Sequence, residues 1–375
     1  MRTGSTEAKT GGCMNRKGIL LIGLLVALFA VSLVYAGGRA EDPAVVDDDR
    51  VTIGAAMVDI TNPFFVQVME GGDQMADALN ANFIWRSSEG SLETQLAVIE
   101  SFIEQGVDAI WIDPLDPEAV KPAIRRALAA GIPTVTAANL VEVPGNVSTP
   151  FPAYDAFYQL GNMVAAYLNY EGNVLYMSGI PGNWILDQYG AGLEDALAQY
   201  PDINVPSVQP ARMDPALAHQ IMESWLATYG PGEIDAVVFT TDPDMYAALE
   251  AIRDAGREGE FPLFSQNGDL PAVEMIANNE NEVKIDLLSH GARIGAFNAL
   301  VAIRLAEGVD LPEVLWFQYA PVMTQETWDH ITANGYQMDV QQNEPFSVDW
   351  MSPEEAMAII ADAAVEFVDW EPPVE

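Results

Sequence analysis

The chain has 375 residues, half of them hydrophobic, and a formal charge of -39 at pH 7 from 55 acidic and 16 basic side chains. That length supports two domains with real cores, and the composition excludes disorder. The charge excludes nucleic acid and anionic membrane surfaces as partners.

From the start of the chain, MNRKGILLIGLLVALFAVSLVYAGG places Arg16 and Lys17 before an apolar run, Ile19 to Val34, and a small-residue site, Val34-Tyr35-Ala36. This pattern predicts residues 1–36 as leader and signal peptide, with Met14 as a plausible initiator and export to the periplasm or another extracytoplasmic space. Uncleaved, a run of about 16 apolar residues approaches the roughly 20 that cross a bilayer and would tether the protein. Cys13 precedes the run, so the exported chain lacks cysteine and with it disulfides, iron–sulfur clusters, thiolate zinc sites and cysteine nucleophiles. Its charge is then -42. The acids are dispersed over helix faces, as on a solvated surface suited to a saline exterior.

Residues 37–50, ending in EDPAVVDDDR, read as an acidic tether. From Val51, short apolar runs alternate with amphipathic stretches: VTIGAAMV then Phe64 to Leu79, NFIWR then Leu92 to Glu104, DAIWID then Glu118 to Ala130, then IPTVTAA. Asp116-Pro117 and Asp214-Pro215 place a capping acceptor before a proline at the first helical position, and Gly131 ends a helix. The segment VEVPGNVSTPFP, residues 141–152, reads as a loop. Alternation then resumes: helix 153–169, strand NVLYMS, helix 186–199, a strand near 203–208, helix 215–229, strand DAVVFT, helix 244–255, strand PLFSQ, helix 271–278, strand VKIDLL, helix 292–307 and strand VLWFQY. Such alternation predicts an α/β fold of doubly wound parallel sheets, and the count fits two sheets of about six strands.

Ligands in open parallel sheets sit beyond the carboxyl ends of the strands. Those ends read Asp59 to Phe65, Arg86 to Ser88, Asp113, Ala138-Asn139, Gly179 to Trp184, Thr241-Asp242, Gln266-Asn267 and Ser289-His290. Acceptors, amides and aromatics dominate, and no catalytic pair is present. His219, His290 and His330 lack metal-ligand spacing, and GIPGN and YGAGLED match neither the dinucleotide fingerprint nor the P-loop. No metal, cofactor or enzymatic activity is therefore expected. Asp116 and Asp244 read as helix caps, and Trp111 as packing. Asp59, Asp187 and Asp242 would converge if two sheets faced each other across a hinge. Carboxylates there accept from hydroxyl pairs, and the rings of Phe64, Phe65 and Trp184 would cover the C–H faces of a sugar.

The sequence NPFF before a helix, and EQGVDAIWIDPLDPEAVKPAIRRALAAGIPTVTA after it, resemble the periplasmic sugar-binding proteins of the ribose- and galactose-binding type over about residues 51–317. The resemblance implies two doubly wound lobes joined by a three-crossover hinge that closes on ligand. It divides the chain into 51–145 plus 290–319 as N-terminal lobe and 146–289 plus 320–375 as C-terminal lobe. By position it implies Asn62 at the cleft edge, with Phe64 and Phe65 stacking on ligand. Asp242 falls where the family usually has an asparagine and Asn267 where an aspartate is usual. Gln266 replaces an aromatic of the ribose binders, and Ser289 falls near a sugar-contacting glutamine. Ribose binders carry Asp-Arg at Ala138-Asn139 and arginine at Asp187, so both arginine forks are lost. The expectation is a monomeric extracytoplasmic protein that captures a monosaccharide or related polyol for the membrane permease of an ATP-driven importer. The rival readings are a sensory protein presenting its sugar to a chemoreceptor or histidine kinase, a sugar-responsive repressor, for which the basic helix-turn-helix is missing, and an enzyme.

Overall fold

The computed structural model describes residues 50–61, 63–280, 282–337 and 350–370. The leader, Cys13 and all of the tether but Arg50 fall outside them.

The first sheet is built from β1 (Thr52–Met57), β2 (Asn82–Ser87), β3 (Ala109–Ile112), β4 (Thr134–Ala138) and β5 (Asn146–Pro150), all parallel, in the order β2-β1-β3-β4-β5. Between them run α1 (Pro63–Leu79), α2 (Leu92–Gln105) and α3 (Pro117–Ala129). Boundaries follow local chemistry. Ser91 accepts from the Thr94 N–H at the start of α2, Gly106 ends it at φ 67°, and Asp116 accepts from the Glu118 and Ala119 N–H groups ahead of Pro117. β1 and β3 are buried throughout, because helices cover both faces. Trp111 lies wholly inside, edge-on to Phe83 and Trp85, as its strand position predicts.

The fifth strand corrects the sequence reading. Asn146–Pro150, expected within a loop, is strand β5. Its polar side chains are buried but satisfied: Asn146 accepts from Thr134, Ser148 bonds Thr136, and Thr149 donates to Asn298 at 2.6 Å. A strand that buries hydroxyls and an amide carries no apolar period by which to be seen.

The second sheet has the order β11-β10-β9-β8-β6-β7. Its strands are β6 (Glu171–Ser178), β7 (Asp202–Pro210), β8 (Ala236–Phe239), β9 (Leu263–Asn267), β10 (Val283–Leu288) and β11 (Ala320–Val322), of which β11 is antiparallel to β10. The helices α4 (Ala153–Tyr167) and α5 (Trp184–Leu197) pack together, as do α6 (Pro215–Thr228) and α7 (Asp242–Asp254), and α8 (Leu270–Asn278) packs on β10.

The chain passes between the lobes three times, as expected. It leaves β5 for α4, and leaves β10 for α9 (Gly291–Ala306), which packs on α1, β3 and β4 of the first lobe. Residues 313–317 then run beside β5 through three backbone hydrogen bonds before the chain enters β11. The predicted strand VLWFQY is therefore mostly a crossover, with a single bridge at Val314. α10 (Gln325–Ala333) packs on α4.

The tail returns. Met351 bridges to Val322, α11 (Pro353–Ala361) packs on α8, and α12 (Ala364–Phe367) packs on α9 and α1. So α12 lies against the first lobe, where the division at 320–375 places it with the second. Gln74 of α1 binds the turn before α12, donating to Ala361 O and accepting from Ala363 N–H. Helices α1 and α9 cross closely through glycines: a Cβ on Gly295 would lie 1.9 Å from the Val68 carbonyl oxygen. Among the described residues no helix is long and apolar enough to cross a membrane.

Candidate ligand-binding site

Both sheets place their first strand between the second and third: β2-β1-β3 in one and β7-β6-β8 in the other. Where strand order reverses, the following helices depart to opposite faces, and a crevice opens beyond the strand ends. In the first lobe the crevice lies between Val58 to Thr61 and Asp113. In the second it lies between Gly179 to Asn183 and Thr240 to Asp242.

On the first-lobe side, Asp59 accepts from both the N–H and the hydroxyl of Thr61, at 2.7 and 2.8 Å, closing an Asx turn into α1. Asn62 lies outside the described residues. Phe64 and Phe65 meet edge to face, 5.4 Å between centroids. Phe64 is 36% exposed, whereas Phe65 packs on the core. Asp113, at the end of β3, was visible as a strand-end acid but not singled out by the sequence reading. Its half-buried carboxyl has no hydrogen-bond or ion-pair partner among the described residues, and burial pushes it up to about 7. The buried Gln95 fixes this turn by donating to Asp113 O and accepting from Leu115 N–H. At β4, Asn139 N–H donates to Ala137 O at 2.6 Å around Ala138, whose φ is 62°. This tight, left-handed turn at a non-glycine residue stores strain beside the crevice and presents the half-buried Asn139.

On the second-lobe side, Trp184 opens α5 and is 60% exposed. Asn183 caps that helix, and the exposed Asp187 accepts the Gly182 N–H on both oxygens. Asp187 thus holds the turn that carries Trp184. Gln266 donates to Ser289, both buried at the ends of β9 and β10. Asn267 is half-buried, with its Oδ1 accepting from Asp242 N–H.

Asp242 itself is wholly buried. Its carboxylate faces inward, accepting from Ser265 Oγ at 2.6 Å and Asp269 N–H at 2.9 Å. The structure therefore places it behind the surface on which Asn267 sits. Asp244 is not the expected cap: Thr241 is the N-cap, and Asp244 lies inside the first turn, where burial pushes its carboxyl up to about 6. His290 caps α9, Nδ1 accepting from Ala292 N–H, and burial lowers it to about 4, so the ring is neutral at pH 7.

Two doubly wound lobes joined by three crossovers, with polar and aromatic groups along both sets of strand ends, define a two-lobed solute-binding protein. The comparisons agree with that class. A family model described as a periplasmic binding protein domain matches residues 53–288, and the chain belongs to the periplasmic binding protein family. It is 33% identical over 250 residues to a xylitol-binding protein of Mycolicibacterium smegmatis, covering 66% of this chain and 70% of that protein. It is 30% identical over 222 residues to the ribose import binding protein of Bacillus subtilis, covering 58% and 70%. The fold is similar to that of a periplasmic solute-binding protein of an ABC transporter from Actinobacillus succinogenes with bound D-allose, with TM-score 0.64 and 22% identity over 75% of this chain and all of the other. A solute-binding protein from Bacillus halodurans with bound myo-inositol gives TM-score 0.61 and 21% identity over 76% and 98%.

Proposed function

We propose that this chain captures a neutral monosaccharide or polyol outside the cytoplasm, as a monomer, and delivers it to the permease of an ATP-driven importer. One observation carries the ligand class. The strand ends at both switch points offer carboxylates, amides, hydroxyls and aromatic rings, with no lysine or arginine between Val58 and Thr61, at Asp113, between Gly179 and Trp184, or between Thr240 and Asp242. Carboxylates accept from sugar hydroxyls, amides serve both senses, and rings cover C–H faces. An anionic ligand would meet like charge at these segments. The xylitol and ribose relatives support the same class.

Micromolar affinity needs about -8 kcal/mol, within reach of a few hydrogen bonds and stacked rings in a closed, dry cleft. Closure would bend the crossovers near 150–153, 288–291 and 317–320, and a permease that binds the closed form better reads the loaded state. No bond is made or broken.

A thermal-shift panel of pentoses, hexoses, deoxysugars and polyols tests the reading, since a ligand that binds only the native state raises Tm. The best ligand should bind Phe64→Ala about 3- to 10-fold more weakly with little change in Tm, because that ring is exposed and a ring contact is worth about 0.5–1.5 kcal/mol. Phe65→Ala should lose both affinity and stability. A panel without any shift would end the sugar reading.

A further inference from the structure

Strand β10 buries Asp286 two residues after Lys284, whose ammonium is held by Glu282 and Asn279, and Asp242 lies wholly buried at the start of α7. Ser265 of β9 donates to Asp242 and pairs in register with Asp286 of β10, so the two carboxyls approach each other on one side of that strand, and no other donor among the described residues reaches the buried Oδ2 of Asp286. Neither forms an ion pair among the described residues. The other ionisable groups facing them are also acidic or neutral: Asp269 before α8 and Tyr246 on α7. Ser265 of β9 contributes a hydroxyl.

Their bonds converge on one turn. Asp242 accepts from Ser265 Oγ and Asp269 N–H, its own N–H donates to Asn267 Oδ1, and Asp286 accepts the Gly268 N–H at 3.2 Å. That turn needs holding. Asn267 has φ 148° and Gly268 φ 72°, and a Cβ on Gly268 would lie 2.3 Å from Leu288 Cδ1. Two bare carboxylates at this range in the interior would repel each other. A single proton between them makes instead a short, charge-assisted bond.

We propose that Asp242 and Asp286 share one proton, and that this buried pair is the positioning device for Asn267, so that ligand binding weakens when the proton is lost. The ligand clause rests on the function proposed above. Asp286 does not reach the crevice and acts through the turn. Burial raises both carboxyls above the ordinary range; the charge of Asp269 then raises Asp242 further, whereas the hydrogen bond from Asp286 lowers it, and the charge of Asp242 raises Asp286.

The test compares the full chain with Asp286→Asn and Asp286→Ala. Tm is measured without ligand from pH 5 to 9, and Kd for xylitol and D-ribose is measured calorimetrically over the same range. Asparagine retains a hydrogen bond to Asp242 without titrating. The wild type should lose at least tenfold in affinity, and lose Tm, toward high pH. Asp286→Asn should show both slopes less than half as steep, and Asp286→Ala should bind about tenfold more weakly already at pH 5. Wild-type slopes retained in Asp286→Asn overturn the shared proton. Unchanged affinity at every pH in a folded Asp286→Asn or Asp286→Ala overturns the positioning role, and if the alanine variant does not fold, the asparagine profile decides. If neither probe binds the wild type, the ligand clause falls with the proposed function, and the Tm slopes still decide the pair.

Discussion

Removing Glu366 should unfasten the tail from the hinge. Arg293 is 1% exposed, and its Nε and Nη2 donate to the two oxygens of Glu366, each at 2.6 Å. The guanidinium lies over the rings of Phe317 and Phe367 and also donates to the carbonyls of Gln318 and Leu288. Thus one side chain at the start of α9 joins two crossovers to α12. Breaking a buried pair by deleting one partner costs about 3–5 kcal/mol, because the other charge stays uncompensated. Two carbonyls remain for the guanidinium, so Glu366→Ala is expected at the lower end, about 3 kcal/mol. At about 2 °C per kcal/mol for a chain of this size, Tm should fall by roughly 6 °C. Calorimetric unfolding at pH 7 and physiological salt measures this, with Glu366→Gln, which keeps one bond, as the intermediate case. A fall below about 2 °C for the alanine variant would show that the pair does not hold the tail, and the reasoning from burial would be wrong.

Three further outcomes follow from geometry. Gly295→Ala should cost about 3 kcal/mol, read as a lower denaturant midpoint, because its Cβ would overlap the Val68 carbonyl and force α1 and α9 apart; a wild-type midpoint refutes the close crossing. Ala138→Gly should raise stability by about 1 kcal/mol by relieving the left-handed backbone at φ 62°, and an unchanged or lower Tm would count against strain there. Asp113→Asn should change the pH profile. Below about pH 4 the acid is protonated folded or unfolded, whereas between 4 and 7 only the unfolded chain gives up the proton, so the wild type loses stability as pH rises through this window. The amide does not titrate, and above pH 7 the variant should gain up to about 2 kcal/mol on the wild type, the full shift being discounted for partial exposure. Parallel Tm profiles from pH 4 to 8 would exclude this.

Local and periodic features were legible in the chain itself. The alternation of short apolar runs with amphipathic stretches specified two doubly wound sheets, since helices on both faces demand continuous apolar strands. Asp116 and Asp214 announced their helices, because a cap is a bond to a residue two or three places on. Phe64 was legible as an aromatic ring at a strand exit, and the structure leaves that ring exposed. Pairings between distant segments were not legible. β5 is a strand because Thr134, Thr136 and Asn298 satisfy its polar side chains, and Asp242 faces inward because β9 and β10 bring Ser265 and Asp286 against it. The tail rejoins the first lobe because Arg293 is already buried and needs a carboxylate. Sequence by itself determined where elements begin and which way they are covered, since those depend on near neighbours and on period. Only the tertiary structure decided which buried polar groups meet, since their cost in the interior is lifted by partners far along the chain.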